Sequence, residues 1–171
     1  VVGEKEPPTT EQLRVLQKVS ERVLLEFEEE KFGDDAPEAA RESLRDAEPL
    51  RGLIHGCPGT GKSKVIMWIR RFFEDALGWK HGVHFLCVAF QNRMASAIQG
   101  TTLHTGANLP RPGEDRNRKL EHADVDHLFI QNQCLRWLFV EEISMIADDL
   151  LGDFESTLAH ASRQTQYKKR R

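Results

Sequence analysis

The stretch "GCPGTGKS", residues 56–63, has residue types and a spacing suited to holding a phosphate chain. It fits G-x-x-x-x-G-K-S, with Gly56, Gly61, Lys62 and Ser63 at the fixed places and Cys57, Pro58, Gly59 and Thr60 among them. Glycines let backbone N–H groups converge on an anion with no side chain in the way, and a helix N-terminus favours negative charge. Lys62 would neutralise the outer phosphates, and the Ser63 hydroxyl would hold a Mg²⁺ ion. The bland alternative is a glycine turn that opens a helix. The flanking pattern favours phosphate binding, with ATP and Mg²⁺ as the expected cofactors: an apolar strand candidate runs in and a helical pattern runs out.

A second chemical signal lies in "LFVEEISM", residues 138–145, where Glu141 and Glu142 end an apolar run. An ATPase needs one acid to hold the metal's water shell and one to activate the attacking water. Glu141 fits the first role and Glu142 the second; the alternative is a strand that simply ends in two solvated acids. His81, His84 and Cys87 have a ligand-like spacing, but on a strand over 83–90 His84 and Cys87 point to opposite faces. No fourth ligand lies nearby, so a zinc site is not expected there.

The elements that must position these groups alternate. Residues 9–27 read as a capped amphipathic helix, with Thr9 or Thr10 as cap, Gln12 three residues after Thr9, and a stripe of Leu13, Leu16, Val19, Val23 and Phe27. "LRGLIHG" is a strand candidate that feeds the glycine turn. "KSKVIMWIRRFFEDAL" is a helix with Val65, Ile66, Ile69, Phe72 and Phe73 inward. "GVHFLCVAF" is a buried strand, "RMASAIQG" a short helix, "CLRWLFVEE" a strand and "ADDLLGDFESTLAHA" a helix. Such alternation predicts an α/β fold, a parallel sheet with helices on both faces, and ligands beyond the strands' carboxyl ends.

The 171 residues are one domain's worth of chain, 39% hydrophobic and 30% charged, a globular balance. No apolar run approaches the roughly 20 residues that span a bilayer, and no signal-peptide pattern opens the chain, so an intracellular setting and no membrane partner are expected. Cys57, Cys87 and Cys134 are scattered and odd in number, which argues against a disulfide framework. Net charge is -3, with acids concentrated in residues 26–50 and a basic ending "YKKRR". We divide the chain into an N-terminal helix (1–28), an acidic insertion (29–49), a sheet-forming body (50–160) and a basic tail (161–171).

Taken in order, "PTTEQLRVLQ", "IHGCPGTGKS", "VAFQNRMASAIQGTTLHTG" and "FVEEISM" resemble the front half of a superfamily 1 DNA helicase, most closely the Pif-type (petite-integration-frequency) family of 5′-to-3′ enzymes. The distinguishing element is "GTTLHTG" followed by the acid pair running into "ISM". The resemblance implies an incomplete RecA-like P-loop NTPase domain whose ATP hydrolysis drives movement along single-stranded DNA or at DNA junctions. In the whole protein that work would serve repair, recombination or telomere maintenance, in nucleus or mitochondrion if eukaryotic. It implies that Gln12 reads the adenine edge. It implies strand contacts from Gln91 and Asn92, where the family has a small hydroxyl residue, and from Thr102, His104 and Thr105.

This sequence departs from the family's Asp-Glu pair by placing Glu141 where the aspartate belongs. The resemblance ends near residue 155, before the family's next strand, its "GD-x-x-Q" sensor and its second motor domain. A fragment that does not unwind DNA by itself is therefore expected. Two other readings stand beside this one. "CPGTGKS" also resembles the cradle of ring-forming ATPases, and a degenerate copy would bind nucleotide or DNA without turnover.

Overall fold

In the computed structural model, Thr9 and Gln12 cap the first helix reciprocally. The Gln12 backbone N–H donates to Thr9 Oγ1 (3.3 Å), and the Thr9 N–H donates to Gln12 Oε1 (2.9 Å). That satisfies donors which a helix N-terminus otherwise leaves open. The helix, α1, runs Thr10–Phe32, further than the expected end at residue 27, through a glutamate-rich stretch that favours helix. The structure describes residues 7–32, 50–109, 128–130 and 132–162. The acidic insertion beyond residue 32, the polar stretch around "RPGEDRNRK" and the basic tail beyond residue 162 fall outside them. Two units are distinguished, one ending at Ile69 and one beginning at Arg70.

The first unit holds α1, the glycine turn and most of α2, which spans Lys62–Arg71. Val65, Ile66, Trp68 and Ile69 of α2 are buried, as are Val19 and Val23 of α1. The α1 stripe is shorter than expected, because Leu13 and Phe27 are exposed. A ten-residue α2 measures about 15 Å, so within its unit it offers cover for only part of a helix about 35 Å long.

The strand expected at "LRGLIHG" does not form. Residues 50–57 carry no strand, and Leu50, Leu53 and Ile54 are exposed. A strand requires a ladder partner, and this unit contains no other strand among the described residues.

In the second unit the helix pattern that followed the turn changes to a π-helical segment, Phe72–Ala76, which seats Phe73 in the core. Then come β1 (Phe85–Ala89), α3 (Asn92–Ala97), β2 (Thr101–Thr102), α4 (Leu103–Gly106), β3 (Trp137–Glu141), a 3₁₀ turn (Ile143–Met145) and α5 (Asp148–Ser162). The strands form a parallel sheet in the order β2-β1-β3. This is an α/β unit. Its central strand, "FLCVA", is buried at every position, as expected of a parallel strand covered on both faces.

The two faces are filled differently. Phe73 meets the rings of Phe85, Trp137 and Phe139 at centroid distances of 5.3, 5.5 and 5.9 Å, with Trp79 edge-on at 4.9 Å. Leu86 and Val88, pointing the other way, join Leu103, Ala107, Leu109, Ile146 and Phe154 of α5. The sheet is thereby covered by an aromatic layer on one face and an aliphatic one on the other.

Candidate nucleotide cradle and nucleic-acid interface

The cradle is built by local forces. Gly59 and Gly61 take φ of +81° and +80°, values open to glycine and costly for most other residues. The Thr60 N–H and hydroxyl both donate to Cys57 O, at 3.3 and 2.8 Å, which closes the bend. Lys62 Nζ donates to Gly56 O (3.0 Å) and Cys57 O (3.2 Å), holding the ammonium across the loop's opening residues. Lys62 and Ser63 are the first residues of α2, so the helix's positive end faces the loop. Cys57, Pro58, Gly59 and Thr60 are exposed, leaving the outer side of the bend to solvent.

Gln12 reaches this loop from α1. Its Nε2 donates to Thr60 O (3.1 Å), while its Oε1 is engaged by Thr9. One N–H and one lone pair of the amide lie beyond these two bonds, so it keeps a donor and an acceptor for a ligand edge. The fit is close: a Cβ at Gly61 would stand 2.7 Å from Gln12 Nε2, and one at Gly56 would stand 2.9 Å from Thr60 Oγ1. At Gly59 and Gly61 the backbone φ favours glycine, and at Gly56 and Gly61 a side chain would crowd the groups that close the loop.

In the second unit, parallel register does the positioning. Ala89 pairs with Thr102 on one side and with Glu141 on the other, so the three residues stand level at the carboxyl end of the sheet. Neighbouring strands lie about 4.8 Å apart, which puts the Thr102 and Glu141 backbones about 10 Å from each other. Thr102 caps α4: its Oγ1 accepts from the Thr105 N–H (3.3 Å) and lies 3.0 Å from Thr105 Oγ1. Thr105 is exposed and His104 half-buried, its ring 6.4 Å from that of Phe90 at the end of β1. Gln91 and Asn92 lie at the start of α3, both exposed, and Gln91 makes no side-chain capping bond.

The acid pair divides into an inner and an outer carboxylate. Glu141 is 8% exposed. Glu142 is exposed and sits in the left-handed region at φ 49°, ψ 50°, a conformation a glutamate rarely adopts. Such backbone outliers persist only where the surroundings enforce them, and they gather at functional sites.

His81 and His84 are engaged with backbone. His81 Nε2 accepts from the Cys87 N–H (3.0 Å), and His84 Nδ1 accepts from the Lys80 N–H (3.1 Å). Burial, and then the nearby Arg70 guanidinium, hold the His81 ring below its ordinary pKa. Burial pushes the Cys87 thiol up to about 12.

Two contributors escape sequence reasoning. Phe90 stands beside His104, and Arg70 reaches the turn before β2. Neither carries a local signal, because their partners lie far along the chain.

A glycine loop at a helix start, and Thr102 and Glu141 level on either side of Ala89 at the end of a three-stranded parallel sheet, give an α/β protein two candidate ligand regions. No protein-family model, no curated protein and no solved structure matches this chain.

Proposed function

We propose that this chain is the nucleotide-binding front of an ATP-dependent, single-strand-translocating DNA motor of the Pif type, within a RecA-like P-loop domain. The observation that carries the reading is the loop at 56–63: positive-φ glycines open α2, Lys62 leads the helix, and the Gln12 amide is docked on Thr60 O.

Each residue has a task in this reading. Backbone N–H groups of Gly59 to Ser63 and the Lys62 ammonium bind the phosphates, and Gln12 orients the base. By the family's pattern Ser63 would hold Mg²⁺ at the cradle and Glu141 is the acid assigned to the metal's water shell, and the bound ion would offset charge developing on the transferred phosphoryl group. Glu142, the exposed member of the acid pair, takes the proton of the attacking water. Thr102, His104, Thr105, Gln91 and Asn92 offer uncharged polar groups to the sugar–phosphate backbone, which suits sequence-blind binding of single-stranded DNA.

The test is a pair of titrations on the purified chain. A fluorescent ATP analogue with Mg²⁺ and a labelled oligo-dT of about 16 nucleotides are each expected to saturate. ATP hydrolysis with and without the oligonucleotide then reports whether the two are coupled. A folded chain that takes up neither probe is not such a motor.

A further inference from the structure

The residues assigned to the DNA strand lie on short elements: β2 has two residues and α4 has four. Elements this short do not hold their own position. Something must fix the turn that delivers them, and Arg70 is built to do so.

The Arg70 side chain is largely buried and committed on three sides. Its Nε donates to Glu74 Oε1 at 3.0 Å. Its Nη1 donates to Ile98 O (3.3 Å) and to Gln99 O. Its guanidinium carbon lies 5.9 Å over the ring of Phe85 on the central strand. Ile98 and Gln99 directly follow α3, at a helix end where carbonyls otherwise go unpaired and a cation is favourable.

The turn that Arg70 grips leaves little room for error. Gln99 has φ +52°, the left-handed region. Gly100 donates its N–H to Ala95 O (2.8 Å), and a Cβ on it would run into the Cys87 carbonyl, 2.9 Å from the carbonyl carbon. Directly afterwards, Thr101 and Thr102 pair with Val88 and Ala89. A slip of one residue would turn the side chains of the 101–102 pair to the opposite faces of the sheet and move the cap of α4.

We propose that Arg70 is the positioning residue of the strand-binding segment: through Ile98 O and Gln99 O it sets the register in which Thr102, His104 and Thr105 meet DNA. This rests on the reading of those three residues as strand contacts. The guanidinium's planar fork matters, because one side chain must serve a carboxylate and two carbonyls at once.

The experiment combines amide hydrogen exchange over residues 98–105 with oligo-dT anisotropy, for the wild type, Arg70→Met and Arg70→Lys. Arg70→Met is expected to speed exchange at Gly100 and Thr105 and to weaken oligonucleotide binding about tenfold or more, as loss of charge-assisted bonds predicts. Arg70→Lys keeps the charge without the fork and is expected to fall between the two. Affinity for the ATP analogue is expected to stay at the wild-type value in both variants, which separates positioning from general loss of structure.

If the wild type binds the oligonucleotide and Arg70→Met binds it equally well, the positioning role is overturned and the motor reading stands. If the wild type does not bind it, the motor reading fails, and unchanged protection at Gly100 and Thr105 in Arg70→Met would overturn the positioning role independently. Should Arg70→Met not fold, Arg70→Lys decides: wild-type affinity and wild-type protection in that variant overturn the proposal.

Discussion

Residues 56–63 and the sheet end at Ala89 reach a comparable result, polar groups gathered at one place, by different means. In the loop, most of the bonds that shape the bend join residues at most six apart, and one longer reach, from Gln12, closes it. At the sheet end, Thr102, Ala89 and Glu141 become neighbours only through pairing of segments separated by 13 and 52 positions, Ala89↔Thr102 and Ala89↔Glu141. A local device tolerates change elsewhere in the chain; a register device depends on every turn that feeds it.

The sheet end should therefore break more dramatically. Gly100→Ala forces a methyl group against the Cys87 carbonyl of the central strand, where rigid backbone has to yield. Overpacking of this kind typically costs about 3 kcal/mol, and we expect that loss in urea unfolding followed by tryptophan fluorescence. A loss below about 1 kcal/mol, within the usual range of surface changes, would mean that the turn shifts freely and that register at the sheet end is loosely held.

The loop should break selectively. Lys62→Ala removes the ammonium that would meet phosphate, a charged hydrogen bond worth about 2 kcal/mol, or roughly thirtyfold in affinity for the ATP analogue. Lys62 makes its loop bonds to Gly56 O and Cys57 O, neither of which belongs to the sheet end, so oligo-dT affinity is expected to hold. Equal losses of both ligands would erase the distinction between a local and a register-built site.

The same distinction governs how much of the molecule is legible in its sequence. The capping box at Thr9 and Gln12, the glycine turn that opens α2 and the buried strand at 85–89 are all legible, because each is written within a few consecutive residues. The stretch "LRGLIHG" misleads for the opposite reason: apolar residues permit a strand, but only a neighbour makes one, and no neighbour lies in its unit among the described residues. Leu13 and Phe27 likewise fit the α1 stripe by spacing, yet spacing does not say how far along a helix its cover extends. The level placement of Thr102 with Glu141 follows from the sequence only loosely, as ligands beyond strand ends, because register is a tertiary property. Arg70 gives no sign at all, since its carbonyl partners are 28 and 29 residues away.

The smallest effect concerns how the central strand is completed where β2 is too short to reach. β2 pairs with Val88 and Ala89 only, and His81 Nε2 takes the Cys87 N–H instead. Only a neutral ring can accept there. Burial and then Arg70 lower the His81 pKa in the folded chain from 6.5, opposed by the backbone hydrogen bond at Cys87 and then by Glu74. The sign follows: as pH falls through 6.5 the unfolded chain takes up the proton first, so the contribution is complete above that value and declines below it until the folded ring is also protonated. His81→Gln supplies a non-titrating acceptor. Urea midpoints measured on both sides of pH 6.5 are expected to drop more on acidification for the wild type than for His81→Gln. The difference should be modest, because the ring is only half-buried and solvent screens it. Parallel midpoints would mean that the Cys87 N–H finds water as readily as imidazole, and that this edge of the sheet is less tightly closed than the register beside it.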